Sequence, residues 1–445
     1  MEGTTSQAGR RTLRPIEEYN YQRNVLKTYS CFIVASKLSE CVDKEVLLFG
    51  IQKLVASRKQ LRLNVFKEDG TNDLYLQEIS DWSVDDVVEF KTGSDIVEEI
   101  GMAHRYCFVT AINKPLWKLV VLNSQWLLLQ CDHTLLDGNS AAFFHEELVC
   151  LLNNQPIGKD LEEESQLSKF TTPSTRYLIG CLFSEFSPKW LSNWFGKLGK
   201  MPFTEKSQYQ TDDPSWNISV KSPIKDNEFK TLKHLITINT QEFIKLKSLL
   251  KAQSVSFTSF WLYLNLSVLS QFTQLSLNCS IPVNLRTLLD KRNAKSYGLF
   301  VSAVELKLST RLVSHESFDW NYVRYIQSHL SPVKLEESAQ LVGMLNYVNA
   351  KDYLLQKSSK PRTCTLEISN LGLREDYKNT AAQPYLNEII FSQPNNITGP
   401  YITNDMASTS EQVNILIGAV PECGYFYDLY TSGLEALLNE FIRDI

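Results

Sequence analysis

Residues 116–131, LWKLVVLNSQWLLLQC, are two apolar runs separated only by Asn123 and Ser124. Runs this short, this rich in Leu, Val and Trp and joined by two turn residues predict a β-hairpin buried on both faces, because a half-exposed strand would alternate apolar with polar residues. Such a hairpin needs apolar layers above and below it, which confines the chain to packed layers of sheet and helix. The residues that follow supply one layer. DHTLLDG leads into NSAAFFHEELVCLLN, where an N-cap candidate precedes Ala141, Phe144, Leu148 and Leu151 at helical spacing. His133, Asp137 and Gly138 therefore stand where a buried strand gives way to a helix.

The same alternation of elements runs along the chain. EVLLFGIQKLVASR (45–58) has the spacing of a helix, and LRLNVFKEDGTNDLYLQEI that of a hairpin turning at Asp69-Gly70. In the second half KHLITIN predicts a strand, and TQEFIKLKSLLKAQ a helix that Thr240 can cap, with Phe243, Leu246, Leu249 and Leu250 on its buried face. SFTSFWLYLNLSVLSQF reads as a second helix, LSLNCSIPVNLR and YGLFVSAVELKLS as strands, and TCTLEISNLGL and QVNILIGAVPECGYFYDLY as central strands. The last segment, GLEALLNEFIRDI, is an amphipathic helix; its acidic polar face of Glu435, Glu440 and Asp444 favours docking on the protein over lying on a membrane. Between 197 and 229 the apolar periodicity fades while Pro, Ser, Asp and Lys accumulate. A chain of 445 residues exceeds what one core usually supports, so the expected division is an N-terminal lobe over 1–196, a connection over 197–229 and a C-terminal lobe over 230–445.

Composition removes several function classes. A formal charge of −5 leaves no basic excess to hold a phosphate backbone, so nucleic acid is not expected as a partner. Nine cysteines, an odd number without a C-x-x-C pair, predict free thiols, a reducing compartment and no metal site. The polar start MEGTTSQAGRRTLRPIEEY has no apolar core of a secretory signal, so a cytoplasmic chain is expected and the sequons at Asn217, Asn265, Asn278 and Asn396 are expected to stay unmodified. The longest apolar stretch, FTSFWLYLNLSVL, falls short of the ~20 residues that span a bilayer.

Chemistry concentrates at His133. A neutral imidazole accepts a proton at physiological pH, which is what activation of a hydroxyl or amine nucleophile requires. Spacing alone does not single it out: HESFD, His315 to Asp319, repeats the His-x-x-x-Asp pattern without the glycine or a preceding apolar strand, and reads as an exposed helix start. His145 reads as a partly exposed helical histidine, Cys131 as a strand residue, and KSSKPR as a solvated charged face.

Context distinguishes the two motifs. HTLLDG resembles the H-x-x-x-D-G motif of the chloramphenicol-acetyltransferase-like superfamily of acyl-CoA-dependent transferases, and three further stretches agree in order and spacing. IPVNLRTLL (281–289) is similar to that superfamily's strand ending in Arg, YGLFVSAVEL (297–306) to the Gly-containing strand after it, and LEISNLGL (366–373) to its Ser-Asn-x-Gly strand. Together these matches span roughly residues 14–440. RPIEEYNYQRNVLKTYSCFIVASKL and the overall length look most like the fungal alcohol acetyltransferases. The D-F-G-W-G segment of the plant acyltransferases is missing, and no carrier-protein or adenylation domain accompanies the motifs.

The resemblance implies an α/β fold of two chloramphenicol-acetyltransferase-like lobes, each a mixed sheet flanked by helices, with the active site in a tunnel between them. It implies that His133 is the general base for direct attack of the acceptor on the thioester, with no acyl-enzyme. It implies that Ser369 and Asn370 stabilise the oxyanion, against a bland reading as turn residues after a strand. Asp137 is implied to pair with Arg286, and these two with Gly138 support the site. Acetyl-CoA is then the co-substrate, with no metal or permanently bound cofactor, and the residues that hold it are unassigned. The implied acceptor is an apolar alcohol, with a long-chain sphingoid-like amine as the alternative. A monomer is expected, and the family also allows peripheral attachment to endoplasmic reticulum or lipid droplets. A catalytically degenerate lipid- or protein-binding chain is the competing class; its signature would be loss of the His, the Gly or the strand Arg, and all three are present.

Overall fold

A computed structural model describes residues 10–71, 73–93, 95–159, 171–175, 177–178, 208–218, 229–289, 295–314, 317–378 and 383–445. The first sheet has five strands in the order β12–β2–β7–β6–β5, formed by β2 (Phe32–Leu38), β5 (Val88–Lys91), β6 (Trp117–Leu122), β7 (Trp126–Cys131) and β12 (Leu386–Ser392). The β6–β7 hairpin closes on Asn123 and Ser124 at φ of 53° and 58°, the left-handed pair that a two-residue turn demands. The hairpin expected around Gly70 forms as β3 (Leu63–Lys67) and β4 (Leu74–Glu78), and joins β1 (Arg11–Thr12) in a separate small sheet.

The second sheet has six strands in the order β10–β9–β11–β13–β14–β8: β8 (Leu232–Asn239), β9 (Leu277–Asn284), β10 (Val301–Leu308), β11 (Leu366–Leu373), β13 (Ile402–Ser408) and β14 (Gln412–Ala419). Ten helices are used below: α1 (Pro15–Val25), α2 (Lys44–Ser57), α3 (Ile96–Ala103), α4 (Gly138–Leu152), α5 (Thr240–Ala252), α6 (Phe257–Leu269), α7 (Trp320–Ser328), α8 (Pro332–Gly343), α9 (Ala350–Ser358) and α10 (Tyr427–Arg443). The mixed α/β architecture of two sheets flanked by helices is the one the sequence implied.

Alternation along the second sheet explains how the lobes meet. On β14, Val413, Ile415 and Ile417 enter the core shared with α5, α6, α7 and α10, whereas Leu416 enters the core of the first sheet. On β13, Ile402 and Met406 face the helices and Ala407 faces the first lobe; on β11, Leu366 and Ile368 face the helices and Leu371 packs on the first lobe. Both faces of the central strands are covered, which is why apolar residues occur on both of them.

One strand crosses between the lobes. β12 belongs by sequence to the half assigned to 230–445, yet it pairs antiparallel with β2 over Leu386–Ser392 and so completes the first sheet. Of the connection expected over 197–229, only 208–218 and 229 are among the described residues.

Several local expectations are corrected. The β14 strand stops at Ala419, and the chain enters α10 at Tyr427, so the run expected as strand to Tyr430 ends in a turn and the start of a helix. Pro421, which opens a short 3-10 turn, lacks the N–H needed to continue the ladder. The cap of α5 is Asn239, whose side chain accepts from the Glu242 backbone; the Thr240 hydroxyl instead donates to the Ser410 carbonyl at 2.8 Å. On α10, Leu434, Leu438 and Ile442 are buried in the second core and Leu437 and Phe441 pack against it. No helix among the described residues is long and apolar enough to cross a membrane.

Candidate active site

β7 ends at Cys131, and the next residues fasten the turn before the helix begins. The buried Asp132 carboxylate accepts from the Thr134 backbone at 2.7 Å and from the Asn24 amide of α1. Asp137 caps α4: Oδ1 accepts from the Ser140 backbone at 2.8 Å and its hydroxyl at 2.9 Å. The same carboxylate is held from the other lobe, Oδ2 accepting from Arg286 Nη1 at 2.7 Å and the Phe300 backbone at 2.9 Å, and Oδ1 from Arg286 Nη2 at 3.0 Å. Arg286 stands in the turn after β9, donates from Nε to the Ser296 carbonyl at 2.9 Å and lies 4.5 Å from the Phe300 ring centre. Burial alone would raise the Asp137 pKa, but the Arg286 charge and these donors outweigh it and hold the group below its ordinary value.

Gly138 has a right-handed backbone, so its purpose is not a positive φ. A Cβ there would stand 2.8 Å from Leu371 Cδ2 and 3.4 Å from the Phe391 ring. The missing side chain lets β11 and β12 close on the motif.

His133 is flanked by the rings of Phe32, 5.1 Å away between centroids, and Tyr29, 5.8 Å away. Its Nδ1 is buried without a hydrogen-bond partner. Burial, reinforced by the nearby Arg23 charge, pushes its pKa down to about 4, while Asp137 and the backbone groups of His133 and Leu136 oppose this without reversing it. At physiological pH the ring is neutral, the protonation state of a base.

Ser369 and Asn370 part company. Ser369 is on the face of β11 that carries Leu371 and turns toward Gly138. Asn370, on the opposite face with Ile368, donates from Nδ2 to Thr258 Oγ1 of α6 at 3.2 Å and accepts from the Gly372 backbone at 2.7 Å. Gly372 has a φ of 73°, and the register with β13 shifts between Asn370 and Leu373. Asn370 also lines a cavity of about 600 Å³ whose walls include Phe243, Leu250, Phe257 and Val413, with Lys247 and Lys251 among its lining.

The remaining candidates have structural work. His145 is fully buried rather than partly exposed, because α4 lies across β2: Nε2 meets the Val34 carbonyl at 3.0 Å and Nδ1 the Ser36 hydroxyl at 2.7 Å. Burial pushes the Cys131 thiol up, away from the reactive thiolate. In KSSKPR, Arg362 is committed to the carbonyls of Gly399 and Pro400, each at 3.2 Å, and to Asn395 Oδ1 at 2.8 Å. Asp319 caps α7 through the Asn321 and Tyr322 backbones, while His315 lies outside the described residues. Among the described residues no group of three or more His, Cys, Asp or Glu could hold a metal, and the eight cysteines described are free.

Sequence reading missed a polar set on the second sheet's inner face. Glu367 of β11 and Asp405 of β13 are bridged by Gln393, whose Nε2 donates to Glu367 Oε1 at 2.7 Å and Asp405 Oδ1 at 3.0 Å. Lys233 of β8 donates to the Ser392 hydroxyl at 2.8 Å, and His104 Nε2 meets the same hydroxyl at 2.8 Å. The available signal was a charge inside an apolar strand, as in TLEIS and ITNDMAS.

Residues 13–424 match the sequence profile of the alcohol acetyltransferases, described as "AATase: Alcohol acetyltransferase". The chain belongs to that family. Among its relatives, N-acetyltransferase SLI1 of Saccharomyces cerevisiae is 24% identical over 432 residues, covering 87% of this chain and 90% of the relative. An uncharacterised protein of Schizosaccharomyces pombe is 24% identical over 450 residues, covering 96% and 94%. The fold is that of the TRI3 trichothecene 15-O-acetyltransferase from Fusarium sporotrichioides, at a TM-score of 0.64 and 13% identity over 98% of this chain and 96% of that one. The condensation domain of the Monacolin K polyketide synthase MokA is similar at a TM-score of 0.62 and 10% identity, over 96% and 97%. Membership makes this family member an acetyltransferase by class; the acceptor is a separate question.

Proposed function

We propose that this family member transfers an acetyl group from acetyl-CoA to a nucleophile on an apolar acceptor, with His133 as general base. The observation that carries the reading is the half-buried, neutral His133 at the strand-to-helix junction, with Ser369 on the strand face that closes over that junction. His133 takes the acceptor's proton as its oxygen or nitrogen attacks the thioester carbon, and returns it to the departing CoA thiolate. The Ser369 hydroxyl donates to the oxyanion. Asp137 takes no proton: saturated by Arg286, Ser140 and Phe300, it fixes the turn that aims His133. The apolar cavity beside Asn370, with Lys247 and Lys251 in its lining, suits the pantetheine arm and phosphates of acetyl-CoA.

An alcohol was the first acceptor class expected from sequence and a long-chain amine the second. The similarity to an N-acetyltransferase over 87% of the chain favours the amine. Free thiols suit a reducing cytoplasmic setting for either. The test is CoA-thiol release from acetyl-CoA with a panel of long-chain amines and alcohols. His133→Ala is expected to lower the acceptor-dependent rate by about 10²- to 10⁴-fold, the range of a general base. Equal rates for the wild type and this variant would exclude His133 as the base.

A further inference from the structure

Inward-facing residues of the second sheet form a row of acids that the transfer chemistry leaves unused. Glu367 on β11 is level with Ser280 on β9, which in turn is level with Glu305 on β10 and donates to it at 3.0 Å. Two residues beyond Glu367, Ser369 is level with Asp405 on β13. The acids therefore run across neighbouring strands from Asp405, which is 1% exposed, to Glu305 at the open side of the sheet. Lys233 is the cation that acts on Asp405 and Arg23 the one that acts on Glu367, but among the described residues neither forms an ion pair within 4 Å of these acids. Gln393 occupies one oxygen of Glu367 and leaves the other without a bond to the described residues.

An independent feature points to a ligand here. Tyr29 is 4% exposed, and its buried hydroxyl has no hydrogen-bond partner among the described residues. Arg23 lies 4.1 Å from the centre of the Tyr29 ring, Tyr29 also feels the charges of Asp405 and Glu367, and its ring is 5.8 Å from that of His133. A buried hydroxyl in the field of two carboxylates and beside the base wants a polar partner that the described residues do not provide. The carboxylates of Glu367 and Asp405 are chemically matched to a cation, and the Phe32 and Tyr29 rings that flank His133 to an apolar chain.

We propose that Glu367, with Asp405 and the Tyr29 hydroxyl, is the site that holds the ammonium group of a cationic long-chain amine acceptor. This rests on the acetyltransferase reading and names its substrate class. The free Glu367 oxygen receives one proton from the ammonium, which leaves a neutral amine. Its nitrogen forms the new C–N bond at the thioester carbon, His133 takes the second proton, the C–S bond breaks, and that proton passes to the CoA thiolate. Glu367 returns its proton to water. Burial, more than the neighbouring acids, moves the Glu367 pKa up to about 7, so it can both accept and release a proton near neutrality.

Equilibrium binding of dodecylamine and dodecan-1-ol to the full chain tests the site without turnover. The wild type is expected to prefer the amine, and Glu367→Gln, which keeps the contact to Gln393, to weaken amine binding about 10- to 100-fold, as loss of a charge-assisted hydrogen bond does, while leaving the alcohol unchanged. Equal affinity for the two ligands in the wild type, or amine binding undiminished in the variant, would overturn the ammonium site. If both ligands weaken together, the effect is structural and the proposal also fails. CoA release from acetyl-CoA is measured beside binding: amine selectivity without any release would retain the site and refute the acetyltransferase reading.

Discussion

His133 and Asp137 share one turn and are driven in the same pKa direction by different forces. Burial outweighs all else at His133, whereas at Asp137 the Arg286 charge and backbone donors overcome burial. A group whose folded pKa is depressed contributes stability above its unfolded pKa and loses it as pH falls through the folded value. For His133 that window runs from 6.5 to about 4, and His145 adds a second group with the same window. Unfolding by urea at stepped pH is therefore expected to show stability falling across this window, with a shallower fall in His133→Gln; an unchanged slope would show that the ring is not buried as described. With an alcohol acceptor, the acid limb of kcat/KM is expected below pH 6.5, since the free enzyme's base stays neutral there. Arg286→Ala strands the Asp137 carboxylate, and is expected to cost about 3 to 5 kcal/mol in chemical denaturation.

At the scale of the element, β11 sends two adjacent polar residues to opposite faces of the sheet. A strand turns successive side chains to opposite faces, so Ser369 shares the inner face with Leu371 while Asn370 is drawn to Thr258 on α6. Ser369→Ala is expected to lower kcat by about 10²- to 10³-fold, the effect of removing one oxyanion donor. Asn370→Ala is expected to lower stability by about 1 kcal/mol and, because Asn370 lines the cavity proposed for acetyl-CoA, to raise KM for acetyl-CoA while changing kcat little. Steady-state kinetics of both variants separate the roles, and equal losses in kcat would refute the division. SNLG carried the location of this strand end in its sequence, but not the register shift after Asn370, which depends on the partner strand.

The whole molecule is closed by β12, the strand that the second half lends to the first sheet. Without it β2 would be an unpaired edge built from Phe32, Ile33, Val34 and Ala35, all at most 1% exposed in the intact chain. A fragment of residues 1–196 is therefore expected to aggregate, and one that stays monomeric in size-exclusion chromatography with cooperative unfolding would show the first sheet to be self-sufficient. The crossover was illegible because LNEIIFS reads as a strand for any sheet; pairing partners are chosen by layers packed far away in sequence. The acids were illegible as a group for the same reason: Glu367 and Asp405 are 38 positions apart by their numbers, and only the β11–β13 register makes them diagonal neighbours on one face. By itself the sequence determined the buried β6–β7 hairpin, the helix after it and the motif between them, because hydrophobic periodicity and turn chemistry act locally. The pairing of Asp137 with Arg286 was expected from the motifs and is present; only the tertiary structure decided that Ser369 rather than Asn370 shares the face turned toward the motif and that acids line up across neighbouring strands, because strand order and facing are fixed by which surfaces the two cores bury.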